Sequence, residues 1–352
     1  MSGKNNTILM VGNFFHSENK SHQYCQSLMD EFQKNNMAVI STSSVNSRVF
    51  RTLDMLSDIF FKRKKYSLAI VDVFSEFSFY WAFLSLLLLK VYNKKTVLVL
   101  HGGRLPEWAK NNEVLLRMAF NVADCLVAPS IYLAQELNGY CPDNKIIQII
   151  PNAINLTSFK FDKQRTSQDI KICWLRAFSE VYNPQMAIKA MSLVLECHPD
   201  VSLYMYGPVK DHTCFDTCEK MIKDRGLQKK IVLKKAVDKA NVPKVLAEYD
   251  IFLNTSIIDN MPISILEALA VGLPVISTNV GGLECLLTHK KNALLVEPND
   301  YKAMSEWITC VINDTTLFNR LKNDGSQMVK QFDWSTIYPQ WEQLLTRISS
   351  QP

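Results

Sequence analysis

The stretch that decides the fold is Asp259-Asn-Met-Pro-Ile-Ser-Ile-Leu-Glu267-Ala-Leu-Ala-Val-Gly272-Leu-Pro-Val-Ile-Ser277. It contains the signals of one helix followed by one strand. Asn260 is a typical helix cap, Pro262 suits a first helical turn, and Gly272 suits a left-handed helix end. The apolar run after Pro274 has the length of a buried strand. This order predicts a helix–strand unit of an α/β sheet.

Short β-rich runs alternate with helix-length segments on both sides of this unit. They cover residues 8–11, 38–41, 68–71, 96–100, 125–128 and 146–150, and then 170–175, 202–206, 231–234, 251–254 and 274–277. Strands that alternate with helices predict parallel sheets, and the polar stretch 160–169 separates two series. We therefore expect an α/β protein with two Rossmann-like, doubly wound domains, 1–165 and 166–333, whose sheets face a central cleft. Residues 334–352 form a final helix.

Composition and missing motifs narrow the function classes. The chain has 352 residues, of which 47% are hydrophobic, and its nine cysteines include no Cys-x-x-Cys pair. These features predict two globular domains with free thiols in a reducing compartment, and a cytoplasmic location. Dinucleotide and Walker glycine fingerprints do not occur, which disfavours simple dehydrogenases and ATPases. Asp-x-Asp does not occur either, which disfavours a site that holds a diphosphate through a divalent metal ion. We expect no metal, no cofactor and no nucleic-acid partner.

The positive charge of the chain lies in its first half. Residues 1–165 hold 19 Lys and Arg against 13 Asp and Glu, whereas the whole chain carries a net charge of +5. The sharpest cluster is Phe60, Phe61, Arg63, Lys64 and Lys65. A basic and aromatic surface suits an anionic membrane or a phosphorylated acceptor, although an ordinary solvated surface is equally compatible with it. We expect peripheral association with the inner membrane face.

The quoted helix carries the chemistry. Ser264 and Glu267 are three residues apart and therefore share one side of a mostly apolar helix. A buried carboxylate needs hydrogen-bond donors, and sugar hydroxyls supply them; a partly exposed structural role for Glu267 stays open. The helix N-terminus at residues 261–263, with the N–H groups of Met261 and Ile263, is suited to phosphate. The pattern predicts a metal-free site for a nucleotide diphosphate.

This stretch resembles glycosyltransferase family 4, a retaining family with the GT-B fold and a Glu-x7-Glu motif, here Asp259-x7-Glu267. The resemblance extends along most of the chain. It includes Leu100-His-Gly-Gly103, Ala128-Pro-Ser130, Ile150-Pro-Asn-Ala-Ile154, Leu175-Arg176, Tyr206-Gly-Pro208, Asp250-Ile-Phe-Leu253 and Phe332-Asp-Trp334. Trp174-Leu-Arg-Ala-Phe178 and Tyr182-Asn-Pro184 indicate a sub-branch that lacks the usual phosphate-binding lysine, because Val181 occupies its position.

The resemblance implies a role for each matching residue. Glu267 would bind the donor ribose, Asp259 would approach the transferred sugar, and Arg176 would hold the diphosphate. Asp259 is one methylene shorter than the family's glutamate, which leaves the sugar undetermined. Lys235 is a candidate substitute cation, with a solvent-exposed strand end as the alternative. The remaining donor-binding candidates are Asn260, Met261, Pro262, Ile263, Ser264, Gly207 and Val237.

Acceptor-side candidates lie in the first domain. His101 ends an apolar run before Gly102 and Gly103, so its imidazole should lie at the carboxyl edge of the sheet. The resemblance makes His101 a catalytic residue beside Asp259 and Arg176, although a lone histidine is often structural. Asn13 and Phe14 follow the first strand and are weaker candidates for acceptor contacts. The final helix would cross back to the N-terminal domain, with Trp341 as a packing residue.

Together these features predict a metal-independent, retaining glycosyltransferase. It would move a sugar from a nucleotide-sugar donor to a glycan or lipid-linked acceptor in polysaccharide biosynthesis, with residues 1–165 on the acceptor side and 166–333 binding the donor. Two alternatives stay open: a GT-B nucleotide-sugar epimerase, and a degenerate domain that binds sugar nucleotides without turnover.

Overall fold

The computed structural model describes residues 7–14, 24–43, 45, 47–159 and 169–350, with the Arg48 side chain excluded. This described part divides into two compact units. The first contains the described residues up to Asn152 together with the last helix, and the second is Ala153–Asp333. The predicted boundary at residues 160–169 lies, apart from Asp169, outside the described residues.

The first unit is a six-stranded parallel sheet with helices on both faces. Its strand order is β2-β1-β3-β4-β5-β6. Its strands are β1 (Ile8–Val11), β2 (Val39–Ser41), β3 (Leu68–Val73), β4 (Lys95–Leu100), β5 (Cys125–Ala128) and β6 (Ile147–Ile149). Its helices are α1 (Tyr24–Lys34), α2 (Arg48–Phe61), α3 (Phe77–Val91), α4 (Leu105–Asn111), α5 (Glu113–Val122) and α6 (Ile131–Asn138).

The second unit repeats this plan with the strand order β12-β11-β10-β7-β8-β9. Its strands are β7 (Lys171–Leu175), β8 (Ser202–Tyr206), β9 (Ile231–Lys234), β10 (Ile251–Asn254), β11 (Val275–Thr278) and β12 (Leu294–Val296). Its helices are α7 (Pro184–Cys197), α8 (His212–Asp224), α9 (Val242–Leu246), α10 (Ile263–Val271), α11 (Leu283–Leu286), α12 (Tyr301–Asn313) and α13 (Thr315–Val329). The last helix of the chain, α14 (Trp334–Ser350), belongs to the first unit.

The predicted α/β class with two parallel sheets is confirmed. Parallel strands covered on both faces read as continuous apolar runs, and β1, β3, β5 and β10 are buried along their whole length. The strand β12 lies beyond the runs that the sequence predicted. Trp341 of α14 is fully buried and meets Phe32 of α1 edge to face, with ring centroids 6.2 Å apart.

The start of α10 corrects one detail of the sequence prediction. Pro262 occupies the N-cap position and the helix begins at Ile263, so Asn260 does not cap it. Proline disfavours a helical conformation of Met261 before it, and Pro262 itself is extended with ψ of 121°, so it lies outside the first helical turn in which the sequence predicted it. Gly272 ends the helix in the left-handed conformation, with φ of 87°, as predicted.

Within the part of the chain that the structure describes, α3 and the other helices are all too short or too polar to cross a bilayer.

Candidate functional site

A buried histidine–aspartate pair lies at the carboxyl edge of the first sheet. His101 directly follows β4, as predicted, and Asp72 is near the end of the neighbouring β3. His101 Nε2 lies 3.1 Å from Asp72 Oδ1, and Phe74 stacks on the imidazole with ring centroids 5.0 Å apart. Because a carboxylate only accepts, this contact places a proton on Nε2 and leaves Nδ1 as the acceptor of a neutral ring.

A buried thiol lies beside the histidine–aspartate pair. Cys25 on α1 is buried, and its Sγ donates a weak hydrogen bond to the Asn13 carbonyl oxygen at 3.6 Å. Burial, followed by the nearby Asp72 carboxylate, raises the pKa of Cys25 well above its ordinary value. The thiol therefore stays protonated at neutral pH, which excludes it as a thiolate nucleophile.

The other acceptor-side candidates differ in accessibility. Gly102 and Gly103 are half-buried beside His101. Asn13 is also half-buried, and its side-chain oxygen finds no hydrogen-bond partner among the described residues. Phe14 is only 2% exposed, so its ring is packed inside the first unit. Its predicted contact with an acceptor stays a prediction, and this conformation offers no surface of the ring for it.

In the second unit, Arg176 and Asp259 form an ion pair. Arg176 follows β7 and donates through Nη2 to Asp259 Oδ2, and its guanidinium also lies over the Tyr182 ring at 4.3 Å. Burial opposes the charge of Arg176, but the Asp259 carboxylate outweighs burial and raises the pKa of the guanidinium. The arginine Nε finds no acceptor among the described residues. Arg176, the candidate for diphosphate binding, and Asp259, the candidate for sugar binding, thus bind each other.

Polar side chains after β10 hold Asp259 in place. Ser256 Oγ lies 3.0 Å from Asp259 Oδ2 and 2.9 Å from Asn254 Oδ1, and Asn254 in turn donates to Ser277 Oγ at 3.0 Å. The Asn260 backbone N–H donates to Asp259 Oδ1 at 3.0 Å. Both oxygens of the Asp259 carboxylate are therefore occupied by the protein itself.

Two glycines permit close backbone approaches around this pair. A Cβ at Gly207 would lie 1.8 Å from the Arg176 carbonyl oxygen, and one at Gly282 would lie 2.2 Å from the Asn260 carbonyl oxygen. Neither distance leaves room for a side chain. The glycine at 282 also donates its N–H to the Asp259 carbonyl oxygen at 3.2 Å. These contacts fix the backbone of the loop between β10 and α10.

On α10, by contrast, two polar groups are buried among apolar neighbours. Glu267 is 7% exposed and Ser264 is 8% exposed. The Ser264 hydroxyl finds no hydrogen-bond partner among the described residues. Burial raises the pKa of Glu267 to about 7, with Lys239 acting in the opposite direction. Such groups are costly unless a ligand pairs with them.

The remaining donor candidates surround this helix start in sequence. Met261 is buried, and Ile263 and Val237 are half-buried. Lys235 directly follows β9 and is exposed, without an ion pair to a described residue. Val181 offers only its backbone, whose carbonyl accepts from the Ile257 N–H at 2.8 Å. The structure therefore supplies no second cation at Val181 beside Arg176.

Three residues with a place in these sites were missed from the sequence. Asp72 is an isolated polar residue near the end of an otherwise apolar strand, which was the signal available for it. Ser256 lies in the polar run that follows β10. Lys239 acts on Glu267 from a distant part of the chain, and nothing in the local pattern of its short 3₁₀ helix, Lys239–Asn241, predicts this.

Among the described residues, no group of three or more His, Cys, Asp or Glu side chains is arranged to hold a metal ion.

Two family models match consecutive parts of the chain. The model for glycosyl transferases group 1 matches residues 157–328, and the model for Glycosyltransferase Family 4 matches residues 24–158. Both parts of the chain thus resemble glycosyltransferase domains, and the two parallel sheets with their flanking helices have the two-domain GT-B fold.

Two named relatives match part of this chain at low sequence identity. The UDP-Gal:alpha-D-GlcNAc-diphosphoundecaprenol alpha-1,3-galactosyltransferase of Escherichia coli is 27% identical over 53% of this chain and 50% of its own. The N-acetyl-alpha-D-glucosaminyl L-malate synthase of Bacillus anthracis is 24% identical over 70% of this chain and 66% of its own. The matches thus span between half and two thirds of these relatives.

A solved structure confirms the fold. HepE of Anabaena in complex with UDP-glucose superposes with a TM-score of 0.78, covering 97% of this chain and 99% of its own, at 16% identity. The relatives are glycosyltransferases, and the epimerase alternative gains no support from them.

Proposed function

We propose that this protein is a metal-independent, retaining glycosyltransferase, which moves a sugar from a nucleotide-sugar donor to a glycan or lipid-linked acceptor. One observation carries the proposal: α10 buries the Ser264 hydroxyl without a partner among the described residues and, three residues on, the Glu267 carboxylate, whose pKa burial raises to about 7. A protein tolerates such groups where a ligand completes their hydrogen bonds. Ribose hydroxyls are donors that suit the carboxylate.

The phosphates of the donor fit the start of the same helix. Pro262 has no N–H and no side chain that could cap, so the first N–H groups of α10 are available to an anion. Arg176 adds a cation that is held on Tyr182. Binding of the diphosphate at Arg176 would release Asp259 toward the transferred sugar. A helix start with one arginine stabilises a departing diphosphate electrostatically, without a bound ion.

The first unit supplies the acceptor side of the proposal. His101 presents the nitrogen that Asp72 does not occupy, and this nitrogen can accept a hydrogen bond from a hydroxyl. Retention of configuration implies attack on the face that the diphosphate leaves, so the donor phosphate itself takes the acceptor proton. His101 then orients the acceptor or the sugar, and Asp72 positions His101.

The acceptor class follows from charge and from one relative. The E. coli relative acts, by its name, on a diphosphoundecaprenol lipid, and a lipid of this kind is anionic. The basic cluster after α2 matches such a headgroup in charge. We include a lipid-linked acceptor in polysaccharide biosynthesis, reached by peripheral association at the cytoplasmic face of a membrane.

A two-step experiment tests the proposal. Thermal shift with a panel of nucleotide sugars should show stabilisation by one donor, and that donor should then be consumed only with an acceptor present. Product anomers by NMR should match the donor anomer. Binding of every donor without turnover would favour the degenerate sugar-nucleotide-binding domain, and an inverted product would overturn retention.

A further inference from the structure

The helix α3 is apolar on all sides, although only one of its sides is packed. Residues 77–91 contain a single charged side chain, Lys90. Phe79, Trp81 and Leu86 face the core and are almost fully buried. A helix that is apolar all round normally lies inside a protein or a membrane. The apolar side chains on the outer side of α3 therefore lack the apolar surroundings that such a helix normally has.

Most exposed large apolar side chains of the described chain gather in this region. On α3 they recur every three or four residues, and the neighbouring helices α2 and α5, which pack beside it, continue the surface. We call this surface the outer apolar face. Its members are Val49, Phe50, Leu53, Phe60, Phe61, Phe77, Tyr80, Leu84, Leu87, Val91, Val114 and Met118, between 38% and 75% exposed.

Basic residues border the outer apolar face. Residues 48–95 carry nine Lys and Arg against four Asp and Glu, a net of +5, which equals the net charge of the whole chain. Arg63 lies over the rings of Phe60 and Tyr92, at 4.4 and 5.7 Å, so the ends of α2 and α3 present cations and aromatic rings together.

The acidic groups at this face are largely neutralised by neighbours. Glu113 pairs with Arg117 at 2.8 Å, and Asp58 pairs with Lys62 at 2.9 Å. A symmetric contact between two copies would bring two basic borders together, and like charges oppose such a contact. A surface that is apolar in the middle and cationic at the border instead complements the interface of an anionic bilayer.

We propose that the outer apolar face binds flat onto a bilayer that contains anionic lipid. With 15 residues, α3 is about 22 Å long and lies in the interface rather than across it. Its apolar side chains enter the boundary between headgroups and acyl chains, and the basic residues bind headgroup phosphates. The inference deepens the membrane association proposed above by naming the surface, but bilayer binding itself requires no sugar transfer.

Vesicle flotation with the full chain tests this surface. Vesicles of phosphatidylglycerol and phosphatidylcholine should recover the protein at low salt, whereas phosphatidylcholine alone should not. The double variant Phe61→Ser/Leu84→Ser should lose about tenfold in partitioning, because it removes inserting apolar area. The variant Lys64→Ser/Lys65→Ser should lose about fivefold per lysine, and added salt should have the same direction of effect.

Matched controls separate this surface from general stickiness. Ile131→Ser/Ile146→Ser removes two apolar side chains of 49% and 71% exposure outside α2, α3 and α5. Lys220→Ser/Lys223→Ser removes the same charge from the second unit. Both controls should float like the wild type.

Two outcomes would overturn the proposal that the outer apolar face binds a bilayer. One is equal flotation of all variants. The other is a concentration-dependent dimer in sedimentation that Leu84→Ser abolishes, since a second copy would then cover the face. Thermal shift with UDP-glucose on the same variants reports donor binding separately, so failure of the proposed transferase function is distinguishable from failure of this surface.

Discussion

The two acidic residues of the family-like motif stand in opposite environments. Asp259, in the loop after β10, is bound by Arg176, Ser256 and the Asn260 N–H. Glu267, eight residues later on α10, is buried, and burial raises its pKa to about 7 although Lys239 acts in the opposite direction. The first carboxylate is stabilised by the protein, and the second one raises the free energy of the folded state.

This difference indicates what each residue does before a ligand arrives. Asp259 and Arg176 hold each other in place as an ion pair, so the protein needs both for stability as well as for binding. Glu267 contributes nothing to stability in its charged form. A group that weakens the fold is retained where function requires it, and the contrast therefore separates a structural pair from a binding residue.

The largest expected effect comes from removing the cation of the pair. Arg176→Ala leaves the Asp259 carboxylate buried without its cation, which should lower the free energy of unfolding by about 3 kcal/mol. It also removes charge stabilisation of the leaving diphosphate, which should lower kcat about 10³-fold. Urea unfolding and donor turnover measure the two effects.

A double variant sharpens this prediction. Adding Asp259→Ala to Arg176→Ala removes the orphaned charge, so stability should partly recover while turnover stays low. If Arg176→Ala alone unfolded like the wild type, the ion pair would carry no stability. If it turned over donor normally, the diphosphate assignment would be wrong.

The second prediction concerns a substitution that should raise the free energy of unfolding, whereas Arg176→Ala should lower it. Glu267→Gln keeps the shape but removes the buried charge, and it should raise the free energy of unfolding at pH 8 by up to about 3 kcal/mol. The same change should weaken binding of the nucleotide-sugar donor found by thermal shift by roughly 1.5 to 3 kcal/mol, because the neutral amide accepts hydrogen bonds less strongly. Urea unfolding and calorimetry measure the two quantities.

The pH dependence of Glu267 follows from the raised pKa. The folded pKa of about 7 lies above the ordinary value of 4.5, so the stability contribution is complete below about pH 4.5 and is lost as pH rises through 7. Donor affinity changes in the opposite direction, since the ionised carboxylate binds hydroxyls better. In Glu267→Gln the stability curve should flatten between about pH 4.5 and 7, and the affinity curve around pH 7. If stability and donor affinity still changed with pH in that variant as in the wild type, a group other than Glu267 would cause the change.

The sequence predicted the sheets well because both are buried on two faces. A strand covered by helices on each side is apolar at every position, and the runs at 8–11, 125–128 and 251–254 needed no alternation to be recognised. The helix carrying Glu267 was equally clear from its apolar composition. Its first residue was misplaced, because the cap signal at Asn260 competes with the restriction that Pro262 imposes on the residue before it.

The contacts between distant residues could not be predicted in the same way. Asp72 and His101 are 29 positions apart, and only the pairing of β3 with β4 brings them together. Likewise, nothing local shows that Arg176 and Asp259 bind each other rather than two parts of a donor. Such pairs depend on strand order, which the local pattern of a sequence does not specify.

The third prediction tests a carboxylate that is paired like Asp259 but in the first unit. Asp72→Asn removes the acceptor that fixes the His101 proton on Nε2, so the imidazole can turn or change tautomer. Turnover should fall roughly tenfold to a hundredfold through loss of orientation, with a changed pH profile of kcat and little change in donor affinity. Cys25→Ser, which leaves the pair intact, should keep the profile. An unchanged profile in Asp72→Asn would make the pair purely structural.

The smallest expected effect is that of a chelator. A metal bound to the diphosphate would need free carboxylates beside it, but in the proposed complex Asp259 is engaged by the transferred sugar and Glu267 by the ribose. Arg176 and the first N–H groups of α10 then carry the phosphate charge alone. Turnover with excess EDTA should therefore equal turnover without it. The variant Arg176→Lys, by contrast, should lose activity, because a point charge replaces a planar, bidentate donor. Activity that vanished with EDTA and returned with manganese or magnesium would show that a cation, and not the Arg176 guanidinium, neutralises the leaving group.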